Sequence, residues 1–186
     1  MWINAQRCCY YSTLQEILQE LQEIFSKINF HDLKNQPNAT IWSNDVNNEW
    51  HSNWSINLYN KIQPIQQVPN IFKSVVEKIK TMQGCQQAFI NFVAPESIIP
   101  KHKDNKKLGN IIGPECVCYQ SVLAISIPSN NPEVCGFETE GEIRGCKTGD
   151  IIAFDGMVDH WGWNYSNQWR ITAVVDIAIE DYNLIN

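Results

Sequence analysis

Gln86-Gln87-Ala88-Phe89-Ile90-Asn91-Phe92-Val93 is the stretch at which this chain changes character. Before it, apolar residues recur mostly at helical spacing. From it onward they gather into short apolar, β-branched and aromatic runs separated by turn residues. The pattern predicts strands over 86–93, 97–104, 118–127, 134–139, 142–146, 150–154, 158–163 and 168–178. The intervening turns carry the expected chemistry at Pro128-Ser129-Asn130-Asn131-Pro132, Glu140-Gly141 and Thr148-Gly149-Asp150. Eight such pieces with short connections make a two-sheet barrel or sandwich.

Working back toward the N-terminus, Leu14, Ile17, Leu18, Leu21, Ile24 and Phe25 follow Ser12-Thr13 at helical spacing and define an amphipathic helix ending near Asn29. Ile71, Val75, Val76, Ile79 and Met82 define a second, stopping before Gly84. Between them, residues 32–70 mix Asn, Gln and Pro with isolated aromatics, and Trp54-Ser55-Ile56-Asn57-Leu58-Tyr59 alternates as a half-buried strand does. The chain is therefore expected to be one domain, 1–186, with a helical and strand support region over 1–85 and a β core over 86–180. Mainly β with α, it should place two helices against one face of the barrel.

Composition narrows the function classes. With 44% hydrophobic residues and 18% charged, the chain buries enough apolar area to fold. A net charge of -6 and a pI near 5.2 are unsuited to nucleic acid, whose phosphates need clustered Lys and Arg. The basic cluster Lys101, Lys103, Lys106 and Lys107 is either a solvated loop rim or a patch that attracts anionic substrate or cosubstrate. No apolar run has the length of a membrane span, and seven scattered cysteines point to free thiols in a reducing, cytoplasmic setting. Cys116-Val117-Cys118 lacks the second cysteine pair of a zinc ribbon, and His31 and His51 lack partners at ligand spacing.

The residues that carry chemistry lie in the β half. His102 and Asp104 are two apart, and in an extended segment that spacing puts both side chains on one face. His160 follows the strand around Ile151–Phe154 and can return to the same mouth. Two imidazoles and one carboxylate on one face of an octahedron leave sites open, as in non-haem Fe(II) oxygenases. Arg170 stands in the apolar strand Trp169-Arg170-Ile171-Thr172-Ala173-Val174-Val175, where an arginine is costly to bury without an anion. Thr172 shares its strand face and can donate a hydroxyl to the same anion.

With these residues in hand, the segment from about Phe89 to Asp176 resembles the aspartyl/asparaginyl β-hydroxylase family of the Fe(II)/2-oxoglutarate dioxygenases. The resemblance rests on Phe89–Ser97 before His102, Leu123–Pro128 in the middle, Gly149–Asp155 before His160, and the closing Arg170–Asp176. It implies a double-stranded β-helix, or cupin-like jelly roll. It further implies Fe(II) held by His102, Asp104 and His160, and 2-oxoglutarate as cosubstrate with O₂, its distal carboxylate on Arg170. The implied reaction hydroxylates an unactivated C–H, most simply a β-carbon, of an amino acid that is free, within a peptide or carrier-bound.

Two departures from the family pattern refine this. Animal members have glycine where Asp104 stands, whereas bacterial members, including free-proline hydroxylases, keep the carboxylate; related halogenases lose it to make room for halide, so Asp104 favours hydroxylation. The Arg and His that help hold 2-oxoglutarate in animal enzymes are replaced by Tyr119-Gln120-Ser121-Val122, which leaves Gln120 and Ser121 as helpers of Arg170 and Thr172. For substrate, Trp161, Trp163 and Asn164 after His160, and Arg144 on the return strand, are the candidates, and the 105–117 loop is long enough to serve as a lid. A non-catalytic cupin-like metal-binding or sensor domain, and a cupin enzyme that needs no 2-oxoglutarate, are the alternatives. Sequence leaves the oligomeric state open.

Overall fold

The computed structural model describes residues 2–42, 53–104 and 117–179. Two antiparallel sheets form the body. The larger is assembled in the order β1 (Trp2–Ile3), β9 (Ile151–Asp155), β6 (Val117–Ser126), β11 (Arg170–Ile179), β4 (Cys85–Val93), β3 (Trp54–Asn60) and β2 (Ala39–Ile41). The smaller has the order β5 (Ser97–His102), β10 (His160–Asn164), β7 (Cys135–Thr139) and β8 (Glu142–Gly145). Each of the eight strands expected from residue 86 onward forms, within a residue or two at most ends. The sheets face each other as a double-stranded β-helix and do not close into one continuous hydrogen-bonded barrel among the described residues.

The alternation of β11 divides the molecule into two cores. Its odd positions, Ile171, Ala173, Val175 and Ile177, point away from the small sheet and pack with the helices α1 (Tyr11–Phe25) and α2 (Lys73–Thr81) in one apolar cluster. Its even position Val174 joins Val122, Ala124, Phe137 and Phe154 in a second cluster between the sheets. The helices thus buttress one face, as expected from their buried stripes Leu14, Ile17, Leu18, Leu21 and Val75, Val76, Ile79. They also touch each other, with Lys78 Nζ 2.8 Å from Glu20 Oε2.

Local details depart from the sequence reading. The first helix starts at Tyr11, so that Ser12 and Thr13 lie inside its first turn, and it ends at Phe25, short of Asn29; Tyr10 occupies the cap position and makes no side-chain cap bond. Short 3-10 turns at Phe30–Asn35 and Asn70–Phe72 were not foreseen, because they follow from how Leu33 and Phe72 are pulled into the core. The β7–β8 hairpin turns at Glu140 and Gly141, with φ of 51° and 83°; two positive φ values define the primed turn that matches strand twist.

Phe92 is the hub of the helix-side core. It stacks on Trp54 at 3.8 Å between centroids and on Phe30 at 5.4 Å, with Phe25 edge-on at 5.8 Å. Phe92→Ala is expected to cost about 3–5 kcal/mol, the usual range for a fully buried aromatic, because β4 is clamped on both sides and cannot collapse into the void. Equilibrium urea unfolding measures it, and a loss under about 1 kcal/mol would show that the cluster is not a packing centre.

Three glycosylation-type sequons, at Asn38, Asn53 and Asn164, carry side chains that are 8%, 0% and 0% exposed and hydrogen-bonded to backbone carbonyls. They serve the fold. Cys8, Cys9, Cys85, Cys135 and Cys146 are free thiols, and His31 packs on Phe30 and Trp169 at the surface. Cys116, His51, Lys106, Lys107 and loop residues 105–116 lie outside the described residues.

Candidate metal centre and cosubstrate pocket

β5 and β10 are neighbours, and their register sets His102 opposite His160. Asp104 follows β5 immediately and is tied down by its backbone N–H, which donates to Gly156 O at 3.0 Å. These two pairings bring together side chains 58 residues apart (160 minus 102). The ligating atoms of His102, Asp104 and His160 lie within 4.8 Å of one another. Asp104 Oδ1 is 3.9 Å from His102 Nε2, and Oδ2 is 3.7 Å from His160 Nε2.

Both rings are oriented by carbonyls. His102 Nδ1 meets Pro100 O at 2.7 Å and His160 Nδ1 meets Val158 O at 2.9 Å. A carbonyl only accepts, so Nδ1 carries the proton and Nε2 offers its lone pair to the space between the rings. Burial lowers the His160 pKa and raises that of Asp104. A divalent cation resolves that tension, because it binds neutral imidazole and ionised carboxylate and supplies the positive charge the pocket lacks.

Gly156 makes room for this carboxylate. A Cβ built there would stand 2.7 Å from Asp104 Oδ2. Gly156→Ala must therefore displace the Asp104 carboxylate, the only soft partner in the contact, while the fold tolerates the methyl. Metal affinity should fall by about 10–100-fold with little change in the metal-free melting temperature. Calorimetric metal titration beside a thermal melt reads both, and wild-type affinity in the variant would contradict the geometry.

The three residues stand at one end of a cavity of about 360 Å³, whose walls include Phe89, Asn91, Gln120, Val122, Phe137, Phe154, Thr172 and Val174. Arg170 lies behind that wall. Its guanidinium rests 3.7 Å above the Phe137 ring, and Nη1 donates to Gly136 O at 3.1 Å and Trp163 O at 2.8 Å. Nε and Nη2 are buried without a partner among the described residues, and the side chain is 1% exposed. Burial depresses its pKa. A buried guanidinium with two idle donors is the fork that a carboxylate fits.

The cross-strand rows explain the cavity's polarity. On β6, β11 and β4 the inward residues align as Gln120–Asp176–Gln87, then Val122–Val174–Phe89, then Ala124–Thr172–Asn91. Polar groups thus occupy both ends and apolar ones the middle. Thr172 lines the cavity. Asn91 beside it was missed by the sequence reading: it lines the cavity, and its Oδ1 is buried without a partner among the described residues. An Asn at an inward position of an otherwise apolar strand was the available signal.

Several expected site residues stand elsewhere. Ser121 lies on the face of β6 opposite Gln120, toward the helices, because strand alternation sends neighbours to opposite sides. Arg144 is exposed on the outer hairpin, bonded to Glu142 at 2.7 Å and over the Trp2 ring, outside this cavity. Trp163 is buried and donates Nε1 to Pro132 O, while Asn164 bonds three carbonyls at the β10 end, so both hold scaffold. Trp161 alone of that group borders the cavity. Gln120 is inside it, but its amide faces Asp104 and Asp176.

Comparison with known proteins supplies the family. The family model for aspartyl/asparaginyl β-hydroxylase matches residues 12–179. The chain belongs to the aspartyl/asparaginyl β-hydroxylase family. It is accordingly an oxygenase. No curated protein sequence matches the chain. Among solved structures, AviO1 from Streptomyces viridochromogenes Tue57 has a TM-score of 0.55 at 12% identity, over 88% of this chain and 85% of that one. A Pseudomonas putida prolyl-4-hydroxylase gives 0.54 at 10% identity, over 87% and 88%. An oxidoreductase of the 2OG-Fe(II) oxygenase family from Burkholderia pseudomallei gives 0.50 at 11% identity, over 88% and 78%. At these identities the likeness concerns the fold.

Among the described residues, no helix of this hydroxylase-family chain is long and apolar enough to cross a membrane.

Proposed function

We propose that the chain is an Fe(II)- and 2-oxoglutarate-dependent hydroxylase acting on an amino acid, free or within a peptide or carrier-bound intermediate. The observation that carries this is the cavity lined by His102, Asp104 and His160, with the two idle donors of Arg170 close behind its Phe137 wall. The donor set suits iron, being two neutral imidazoles and a carboxylate in a cluster that leaves a side open to the cavity. The orphaned Arg170 Nε and Nη2 suit the distal carboxylate of 2-oxoglutarate.

Bound iron, 2-oxoglutarate and O₂ together supply the oxidising power, yielding succinate, CO₂ and one oxygen atom for the substrate C–H. The chain's own residues do the rest. His102, Asp104 and His160 hold the metal in a fixed orientation, while Arg170, with Thr172 and Asn91 nearby, seats the cosubstrate. Phe89, Val122, Phe154 and Val174 keep water from the middle of the cavity. Trp161 and Ile99 line the cavity and are half-buried, and they would meet the substrate.

The test is mass spectrometry across free amino acids and amino-acid-containing peptides, with Fe(II) and 2-oxoglutarate supplied. Gain of one oxygen atom coupled to succinate release is expected. Succinate release from no substrate class, in protein shown to bind iron, would return the chain to a metal-binding, non-catalytic role.

A further inference from the structure

We infer that Gln120 and Asp176 are positioning residues for the metal centre: Asp176 fixes the Gln120 amide so that its N–H holds the Asp104 carboxylate in the ligating orientation. This rests on Asp104 being a metal ligand.

The geometry is a bridge. Gln120 Nε2 donates to Asp104 Oδ2 at 2.6 Å and to Asp176 Oδ1 at 3.1 Å. One amide nitrogen has two hydrogens, and here each has a carboxylate. Beside an ionised Asp104 the amide oxygen cannot take the hydrogen's place, since it would then face a carboxylate. With acceptors on both sides, the amide has a single acceptable orientation.

Asp176 is in turn held by the sheet. Gln120 on β6 and Gln87 on β4 are its direct cross-strand partners on either side of β11. Gln87 Nε2 donates to Asp176 Oδ2 at 2.5 Å. Asp176 is 0% exposed, and among the described residues both its side-chain donors are amides. A carboxyl group so deep and without a cation is expensive, and packing alone would be better served by an apolar residue. Fixing the amide gives it a role, and it carries the order of the β6–β11–β4 ladder to a ligand that sits on the edge of β5. Oriented outer residues of this kind keep metal ligands in place.

Removing the bridge should weaken the metal site without emptying the fold. Gln120→Met keeps length and removes both donors. Asp176→Leu removes the acceptor that orients the amide, whereas Asp176→Asn retains an acceptor, Oδ1, for Gln120 and lets Gln87 turn its own amide. The measurement is Co(II) titration of the metal-free protein, reading both the dissociation constant and the visible spectrum of the bound ion. Gln120→Met and Asp176→Leu should each bind about 10–100-fold more weakly with an altered spectrum, and Asp176→Asn should lie near wild type. Unchanged affinity and spectrum in Gln120→Met would overturn the role of Gln120. Loss in Asp176→Asn equal to that in Asp176→Leu would overturn the orienting role of Asp176. Should Asp176→Leu fail to fold, Gln120→Met still decides for Gln120, and a loss of about 10-fold or more in Asp176→Asn would overturn the orienting role of Asp176. Wild-type protein that binds no Co(II), or binds it equally well as His160→Ala, would instead sink the metal reading itself.

Discussion

Alanine in place of His160 is expected to abolish succinate formation and to weaken Fe(II) or Co(II) binding by well over about 100-fold, more than the loss of an orienting outer residue costs. His160 is one of three converging ligands, is 6% exposed, and has its Nε2 committed to the cluster by the Nδ1 bond to Val158 O. The same change frees the Val158 carbonyl, so some stability is lost, on the order of 1–3 kcal/mol. A chelator separates the two effects. Wild-type protein should melt lower once metal is removed, since a ligand that binds only the folded state stabilises it. His160→Ala should melt at one temperature with or without chelator. A variant that keeps wild-type metal affinity would remove His160 from the centre.

Arg170→Met is expected to raise the apparent 2-oxoglutarate constant about 10–100-fold, the equivalent of a charge-assisted hydrogen bond worth about 1.5–3 kcal/mol. Its effect on the protein without cosubstrate runs the other way. The guanidinium is buried, lacks an anionic partner among the described residues, and has two idle donors. Replacing such a group by an apolar side chain of similar length is neutral or stabilising. Some of that gain is offset by the lost bonds to Gly136 O and Trp163 O, which tie β7 and β10 to β11. The decisive readout is therefore the rise in melting temperature caused by 2-oxoglutarate, present in wild type and absent in the variant. Were the variant to keep both its 2-oxoglutarate constant and that thermal response, Arg170 would be a sheet-to-sheet clamp only, and a cupin enzyme independent of 2-oxoglutarate would become the better reading.

Much of this was legible in the chain itself, for local reasons. Strand positions follow from short apolar runs ended by Pro, Gly and Asn, and all eight from residue 86 onward form as expected. His102 and Asp104 are legible because their spacing is short, and Arg170 because charge in an apolar strand needs an explanation. The weaker site assignments failed where burial or register decided. Arg144 is exposed on the outer hairpin and Ser121 faces the helices, though both lie in strands that were located correctly. Trp163 and Asn164 are consumed by scaffold bonds that only the packed β10 end creates.

The sequence by itself therefore determined the elements, the candidate ligands His102, Asp104 and His160 and the cation Arg170 in an apolar strand, since each is a property of a few neighbouring residues. Tertiary structure alone decided which of these meet. The row Gln120–Asp176–Gln87 joins positions 56 and 89 residues from Asp176. The clearance at Gly156, and the reassignment of Gln120 from cosubstrate to Asp104, depend on how β5, β6 and β9 come together. Strand pairing is set by the packing of the whole sheet, and a one-residue slip would turn every side chain in those rows to the other face, so no local pattern could have encoded them.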